Sequence, residues 1–333
     1  MPRRRRRPRP RRPGSAVATW DVVIVGGGSA GLSAALMLGR SRRSVLVVDG
    51  GRPRNAPARH MHGVLGRDHT SPLDLLAAGR AELTRYDVAV ESGEVADVAG
   101  VEADASGPAG PAFEVVLDSG ERHLARRLLV ATGLRDELPD IAGLADQWGR
   151  GVALCPYCEG WEFRDRRIAV IASSAANAHQ AQLLRQLSAD VVFCSQGAVL
   201  TPAARSGLDA RGIVVEDRRV VEVFADDGGR LRGIRLEDGG EWEADAVFVA
   251  PKAVPHDDLL RRLRARSMRQ GGVDHVLVDE DGRTSVRGLY AAGNVVGSRS
   301  SVPWAMSSGS LTGAAINADL VDEDIRNAVD ARG

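Results

Sequence analysis

The sequence predicts an α/β protein built of two Rossmann-like, three-layer ββα domains, the second inserted into the first. Three observations carry that expectation. A glycine-rich turn joins a buried β-run to an Ala/Leu-rich helix, and the same order of strand, turn, helix and strand recurs downstream. The length of 333 residues also exceeds what one hydrophobic core usually supports. The expected layout is a tail over 1–18, a first domain over 19–140 and 266–333, and an inserted domain over 141–265.

The chain opens "MPRRRRRPRPRRPG". Arg and Pro bury no apolar surface and like charges repel, so residues 1–18 are expected to be a disordered tail. An export signal needs an apolar stretch behind its arginines, whereas "AVATWDVVIV" runs straight into a strand.

In "WDVVIVGGGSAGLSAALMLGR" the buried run Val22 to Val25 precedes Gly26-Gly27-Gly28-Ser29-Ala30-Gly31 and a helix. Gly26 permits a tight turn, Gly28 lets backbone N–H groups approach a pyrophosphate, and Gly31 lets the helix pack close on the strand. The strand "SVLVVD" ends at Asp49, about twenty residues on, where a carboxylate accepts hydrogen bonds from ribose hydroxyls. "FEVVLDSGERHLARRLLVATG" reads as a hairpin turned at Asp118-Ser119-Gly120, then a strand ending in Ala131-Thr132-Gly133, small enough to pass close to a cofactor. "GLYAAGNVVG" is a further strand, with Asn294 placed to hydrogen-bond a ligand, and a helix is expected over Val302 to Leu320.

Residues 167–194 repeat the strand, turn, helix and strand, and "IRLEDGGEWEADAVFVAPKA" repeats the hairpin. At the three glycine positions this second copy has Ala172, Ser174 and Asn177, and at the position of Asp49 it has Ser195. Side chains occupy points where a pyrophosphate must meet bare backbone, and no arginine cluster follows "VVFC" to take a 2′-phosphate. The second domain is expected to keep the fold and to bind NAD(P)H poorly or not at all.

Composition narrows the function classes. Net charge is zero, which gives no reason to expect nucleic acid as a partner. No apolar run approaches the roughly 18–20 residues needed to cross a bilayer. Three cysteines exclude a disulfide framework and point to a reducing cytoplasm.

Two of those cysteines stand in "CPYCEG", residues 155–160. Structural zinc takes two such pairs, or one pair and two well-spaced histidines, and neither is supplied, so no metal is expected. A CxxC pair beside a nucleotide-binding domain instead suggests a redox dithiol, Cys155 and Cys158. Glu159, next to the pair, is placed to hold the proton that thiol/disulfide exchange requires once burial raises its pKa.

The order of a GGGSAG site, ATG, an inserted domain carrying CxxC, and a terminal AAGN strand with helix resembles the low-molecular-weight thioredoxin reductase-like FAD flavoproteins over residues 20–325. Within that family, "DGGRPRNAPARHMHGVLGRD" and "CPYCEGWEFRD" resemble the branch of dithiol oxidases of gliotoxin, holomycin and romidepsin biosynthesis, which close a disulfide in a small natural product and use oxygen. The resemblance implies FAD, with Gly26, Gly28, Ser29, Ala30 and Gly31 at its pyrophosphate and Asp49 at the adenosine ribose. It places Arg54 and Asn55 along the cofactor, Val95 near the adenine, Thr132 and Gly133 beside the pyrophosphate and Asn294 near the ribityl chain. Cys158 would lie next to the flavin and Cys155 would exchange with substrate. Two departures stand out. Glu159 replaces the reductases' Asp, and "RSSVPWAMSSG" lacks their Arg-Gln-Ala run, leaving Ser301, Val302 or the backbone to meet the flavin edge. His60 or His62 in "RHMHG" is a candidate for accepting a substrate thiol proton.

The resemblance implies a cytoplasmic homodimer that oxidises a small-molecule dithiol and passes electrons through FAD to O2, giving H2O2. Two alternatives stay open. One is a reductase fed by NADPH, ferredoxin or another donor, and the other is a non-catalytic, flavin-binding redox sensor.

Overall fold

The computed structural model describes residues 17–101, 112–270, 272–298 and 301–332. The expected tail falls outside the described residues except for its last two, and Ala18 already opens the first strand.

Strand β1 (Ala18–Val25), helix α1 (Ser29–Arg40) and strand β2 (Val45–Asp49) form the first βαβ unit, with Val22 to Val25 in parallel register with Val45 to Val48. Helix α2 (Pro72–Leu83) leads to β3 (Ala89–Ser92), which extends the sheet beside β2. Strands β4 (Val95–Gly100), β5 (Phe113–Leu117) and β6 (Arg122–Val130) form an antiparallel meander, and β6 returns parallel to β1. The turn between β5 and β6 falls at Asp118-Ser119-Gly120 as expected, with Gly120 at φ +84° and its N–H donating to Leu117 O at 2.9 Å. Val22 and Ile24 face a core shared with α1, while Val23 and Val25 face a second core under the meander. Burial on both faces is why β1 reads as an unbroken apolar run.

Strand β7 (Leu134–Glu137) carries the chain onward. There β8 (Val152–Ala153), helix α3 (Pro156–Glu159), β9 (Ile168–Ile171), α4 (Asn177–Leu184), β10 (Val191–Cys194), α5 (Pro202–Ala210) and β11 (Val214–Glu216) follow. A meander of β12 (Val220–Ala225), β13 (Leu231–Leu236) and β14 (Glu241–Glu243) precedes β15 (Ala246–Val249). The parallel sheet has the order β11-β10-β9-β15-β8. Strand β16 (Lys252–Pro255) leads back to α6 (Asp258–Arg262), the hairpin β17 (Ser267–Gln270) and β18 (Val273–Val276), β19 (Leu289–Ala291) beside β6, and α7 (Val302–Asp330).

Two compact units result, one of Met1–Pro53, Leu73–Arg135 and Pro255–Gly333, the other of Arg54–Pro72 and Asp136–Val254. The return lies before the expected break near 265 because Leu259 and Leu260 of α6 are buried in the first unit's core. Residues 54–72 join the second unit through named contacts. Asp136 holds Arg54, and Pro57 lies so close beneath Gly149 that a Cβ there would come within 2.8 Å of it.

Helix α7 runs ten residues past the expected end at Leu320. Glu323, only 4% exposed, is held there by Arg126 Nε at 2.8 Å and Arg127 Nη2 at 2.7 Å, both from β6. Small residues seat α7 on α1, since a Cβ on Gly309 would lie 2.0 Å from Ala30 O.

Candidate cofactor site and redox pair

At the β1–α1 turn Gly26 has φ +104°, and a Cβ on it would lie 2.4 Å from Ala131 O. A Cβ on Gly31 would lie 1.9 Å from Gly26 O, so both positions demand bare backbone. Gly28 meets nothing within 4 Å and caps α1 without a side-chain hydrogen bond. The N–H groups leading α1 at Ser29, Ala30 and Gly31 thus adjoin open space, a cradle that fits a pyrophosphate. Asp49 closes the turn by accepting from Gly27 N–H at 3.0 Å, and its other oxygen is engaged by Arg80 of α2. Sequence reasoning missed Arg80, whose partner lies 31 residues away.

The remaining cofactor candidates of the first unit are distributed along its strand ends. Thr132 Oγ1 donates to His256 O at 2.6 Å, and Gly133 adopts φ +71°. Val95 begins β4 opposite Leu117. Asn294 sits in the short turn after β19, where its Nδ2 donates to Gly297 O at 3.2 Å. Ser301 is the N-cap of α7 and makes no side-chain cap, and Val302 begins the helix, followed by Pro303. A cavity of about 270 Å³ lies here, lined by Gly293, Val296, Trp304, Ser308 and Leu311 among others. Arg54 and Asn55 are gathered into the other unit, where Arg54 makes two bonds of 2.7 Å to the Asp136 carboxylate.

The β9–α4 turn of the second unit is built differently. Asn177, 7% exposed, turns its Oδ1 back onto the turn and accepts from Ser173 N–H and Ser174 N–H, each at 3.0 Å, and from Ser173 Oγ at 3.2 Å. In the repeat these donors correspond to the N–H of Gly27, which Asp49 engages in the first turn, and the N–H of Gly28. Ser195, at the position of Asp49, is 2% exposed, and its hydroxyl helps to hold the Asp217 pKa below the ordinary carboxylate range.

Cys155 and Cys158 form a disulfide with Cα atoms 5.2 Å apart, and both residues are half-buried. Cys155 caps α3, Pro156 opens it, and Cys155 O accepts from the N–H groups of Cys158 and Glu159 at 3.1 Å each. Glu159 Oε2 is buried without a hydrogen-bond partner. Burial raises the Glu159 pKa above the ordinary carboxylate range, opposed by the Cys155 backbone N–H and by the nearby His62 and Arg54, and reinforced by Glu162. The third cysteine, Cys194, is buried in β10, which pushes its thiol up to about 12 and leaves it an inert core residue.

The two histidine candidates separate. An antiparallel bridge between Met61 and Thr70 folds residues 60–70 into a tight loop. His60 is exposed and stacks on His69 with ring centroids 4.0 Å apart. His62 is half-buried, with Nε2 3.5 Å from Glu162 Oε1 and Nδ1 3.6 Å from Asp68 Oδ1. His69 and Asp68 were not anticipated, although "GRDH" begins only four residues beyond His62.

Among the described residues one trio brings potential metal ligands together, Glu91, Glu121 and His123, with ligand atoms within 4.8 Å of one another. Trp20 Nε1 donates to His123 Nδ1 at 3.4 Å, which puts the imidazole's own proton on Nε2, the atom facing the carboxylates. The trio therefore presents a donor, not a lone pair, to the position an ion would take.

Comparison with known proteins agrees with this architecture. Residues 20–309 match the family model described as pyridine nucleotide-disulphide oxidoreductase. Thioredoxin reductase tcpT of Claviceps purpurea is 33% identical over 310 residues, 90% of this chain and 94% of that protein. Thioredoxin reductase sirT of Leptosphaeria maculans is 30% identical over 323 residues, 92% of this chain and 96% of that one. The solved structure of HlmI superposes with a TM-score of 0.88 at 42% identity, covering 94% of this chain and 96% of that chain. An oxidoreductase from Agrobacterium tumefaciens does so with 0.82 at 35% identity, covering 91% and 99%. With an open first cradle, an inserted second nucleotide-type unit and a CxxC disulfide, the chain belongs to the pyridine nucleotide-disulphide oxidoreductase family, as an FAD-binding, thioredoxin reductase-like flavoprotein.

Proposed function

We propose that this protein is an FAD-dependent dithiol oxidase that closes an intramolecular disulfide in a small natural-product dithiol, with O2 as acceptor and H2O2 as product. The observation that carries the reading is Asn177. Its carboxamide folds back over the β9–α4 turn and accepts from the Ser173 and Ser174 N–H groups, where a coenzyme pyrophosphate would need to meet bare backbone. An enzyme of this family that does not use a nicotinamide coenzyme takes its electrons from another donor, and the CxxC disulfide beside a buried acid suits thiols to that role.

One substrate thiolate attacks the Cys155 sulfur, breaking the bond to Cys158 and forming a mixed disulfide. The second substrate thiolate attacks the substrate sulfur of that bond and releases the cyclic disulfide, leaving both enzyme cysteines reduced. Two protons pass from substrate to enzyme. Glu159, kept protonated more readily by its burial, supplies one to the sulfur that leaves. His62 links this acid to solvent past Asp68 and Glu162, whereas His60 is turned outward onto His69. When bound, FAD would supply the two-electron sink that restores the disulfide, with O2, reduced to H2O2, as the final acceptor. Gly26, Gly28, Ser29, Ala30, Gly31 and Asp49 would hold that cofactor, with Thr132, Gly133 and Asn294 along it.

Supplying a small dithiol in air is expected to yield one H2O2 for each disulfide closed, and Cys158→Ser is expected to abolish both. Absence of peroxide with any dithiol would favour a flavin-bearing sensor. The shared name of tcpT and sirT, thioredoxin reductase, favours a second reading in which electrons flow outward to a protein disulfide. That reading needs an electron donor that does not use the β9–α4 turn.

The chain is further proposed to work as a cytoplasmic homodimer. Trp304, Leu311, Ala318 and Ile325 recur every seven residues along the exposed side of α7, with Val321 between them, a seam that suits a second copy of the helix. Among the described residues no helix is long and apolar enough to cross a membrane.

A further inference from the structure

The hydrogen bonds that close the second turn do not end at Asn177. Its Nδ2 donates to Gln180 Oε1 at 3.1 Å, and Gln180 Nε2 donates to the carbonyl oxygen of Leu154 at 2.7 Å. That carbonyl shares a peptide unit with the Cys155 N–H, whose proximity lowers the Glu159 pKa against the effect of burial. The chain of donors has a fixed direction. Ser173 and Ser174 N–H groups require Oδ1 of Asn177, which leaves Nδ2 for Gln180 Oε1, which leaves Gln180 Nε2 for Leu154. Neither amide can flip without breaking a bond at the next step.

Leu154 needs this support because the β ladder stops just before it. The last register pair of β8 is Ala153 with Phe248, and α3 begins only at Pro156. Among the described residues no strand or helix partner reaches the Leu154 carbonyl, and a side chain of α4 takes that place. The peptide is planar, so a donor on its oxygen fixes the plane that enters Cys155, and it also strengthens the N–H on the far side.

We propose that Asn177 and Gln180 are positioning residues for the redox pair: the carboxamide that closes the coenzyme-type turn also holds, through Gln180, the peptide plane that sets Cys155 against Cys158. This rests on the reading of the pair as redox-active. Held in place, each sulfur sees the other at a high effective concentration, which favours the disulfide. Released, the Leu154–Cys155 peptide gains freedom and the pair is reduced more easily. Reopening the second turn by restoring glycine at 177 would therefore also disturb the dithiol.

The test uses the FAD-loaded enzyme, equilibrated anaerobically in graded mixtures of reduced and oxidised dithiothreitol. One dithiothreitol is oxidised to its cyclic disulfide for each Cys155–Cys158 disulfide reduced, and trapped thiols are counted by mass after alkylation. Gln180→Met keeps the length of the side chain and removes both bonds. It is expected to move the equilibrium constant about tenfold toward the dithiol, which is about 30 mV. Asn177→Asp keeps the acceptor for the turn, loses the donor to Gln180, and is expected to shift the same midpoint by less. Gln186→Ala, on the exposed surface beyond α4, is expected to leave it unchanged. An unchanged midpoint in Gln180→Met with its flavin spectrum and melting temperature intact would overturn the proposal, as would a shift toward the disulfide. Should Gln180→Met lose its flavin, the midpoint of Asn177→Asp decides in the same way. A parent enzyme whose cysteines show no reversible titration would instead sink the redox-pair reading itself.

Discussion

Glu159 combines an orphaned, buried oxygen with a place beside the disulfide, and the two properties have opposite pH signatures. Burial raises its folded-state pKa above the unfolded value. The fold therefore prefers the neutral acid, and this contribution to stability is fully present below the unfolded carboxylate pKa and lost as pH rises through the raised value. Glu159→Gln, permanently neutral, is expected to melt with the parent in acid and above it at higher pH. The same substitution is expected to slow dithiol turnover by about 10²–10⁴-fold. Melting temperatures that track the parent at every pH would contradict the assignment. The Cys155–Cys158 pairing and the place of Glu159 beside it were legible in the sequence because all three lie within five residues. The difference between His60 and His62 was not, because it depends on the Met61–Thr70 bridge, which turns one ring outward onto His69 and brings the other to Glu162.

At the scale of elements, the two glycine-type turns show how far a repeat can be read. The replacements Ala172, Ser174 and Asn177 signal steric closure from the letters alone. That Asn177 also satisfies the turn's own N–H groups was not legible, because α4 starts later in the repeat than α1 does and carries Asn177 at its first position. Helix α7 was cut short for a related reason. The run "VDEDIRNAVD" puts Val321, Ile325 and Val329 on an exposed side, and its anchor to the sheet is the burial of Glu323 against Arg126 and Arg127, partners almost two hundred residues away. The exposed apolar seam of α7 is expected to bind a second copy of itself. Val321→Glu together with Ile325→Glu should halve the mass measured by light scattering without loss of FAD, and an unchanged mass would remove α7 from the interface.

Over the whole molecule, a single design occurs twice with opposite outcomes. The first unit keeps a turn whose central glycine faces open space, and the second folds the Asn177 side chain over the N–H groups of Ser173 and Ser174. The two-domain architecture and the insertion were legible from this repetition. The membership of residues 54–72 in the second unit was not, since it rests on Arg54 with Asp136 and Pro57 beneath Gly149, pairings between distant stretches of chain. The direction of electron flow follows from which turn is open. Its most direct measurement is the flavin absorbance of the anaerobic enzyme after mixing, in parallel, with excess NADPH and with a small dithiol. The account predicts bleaching by the dithiol and none by NADPH. Rapid bleaching by NADPH would contradict it.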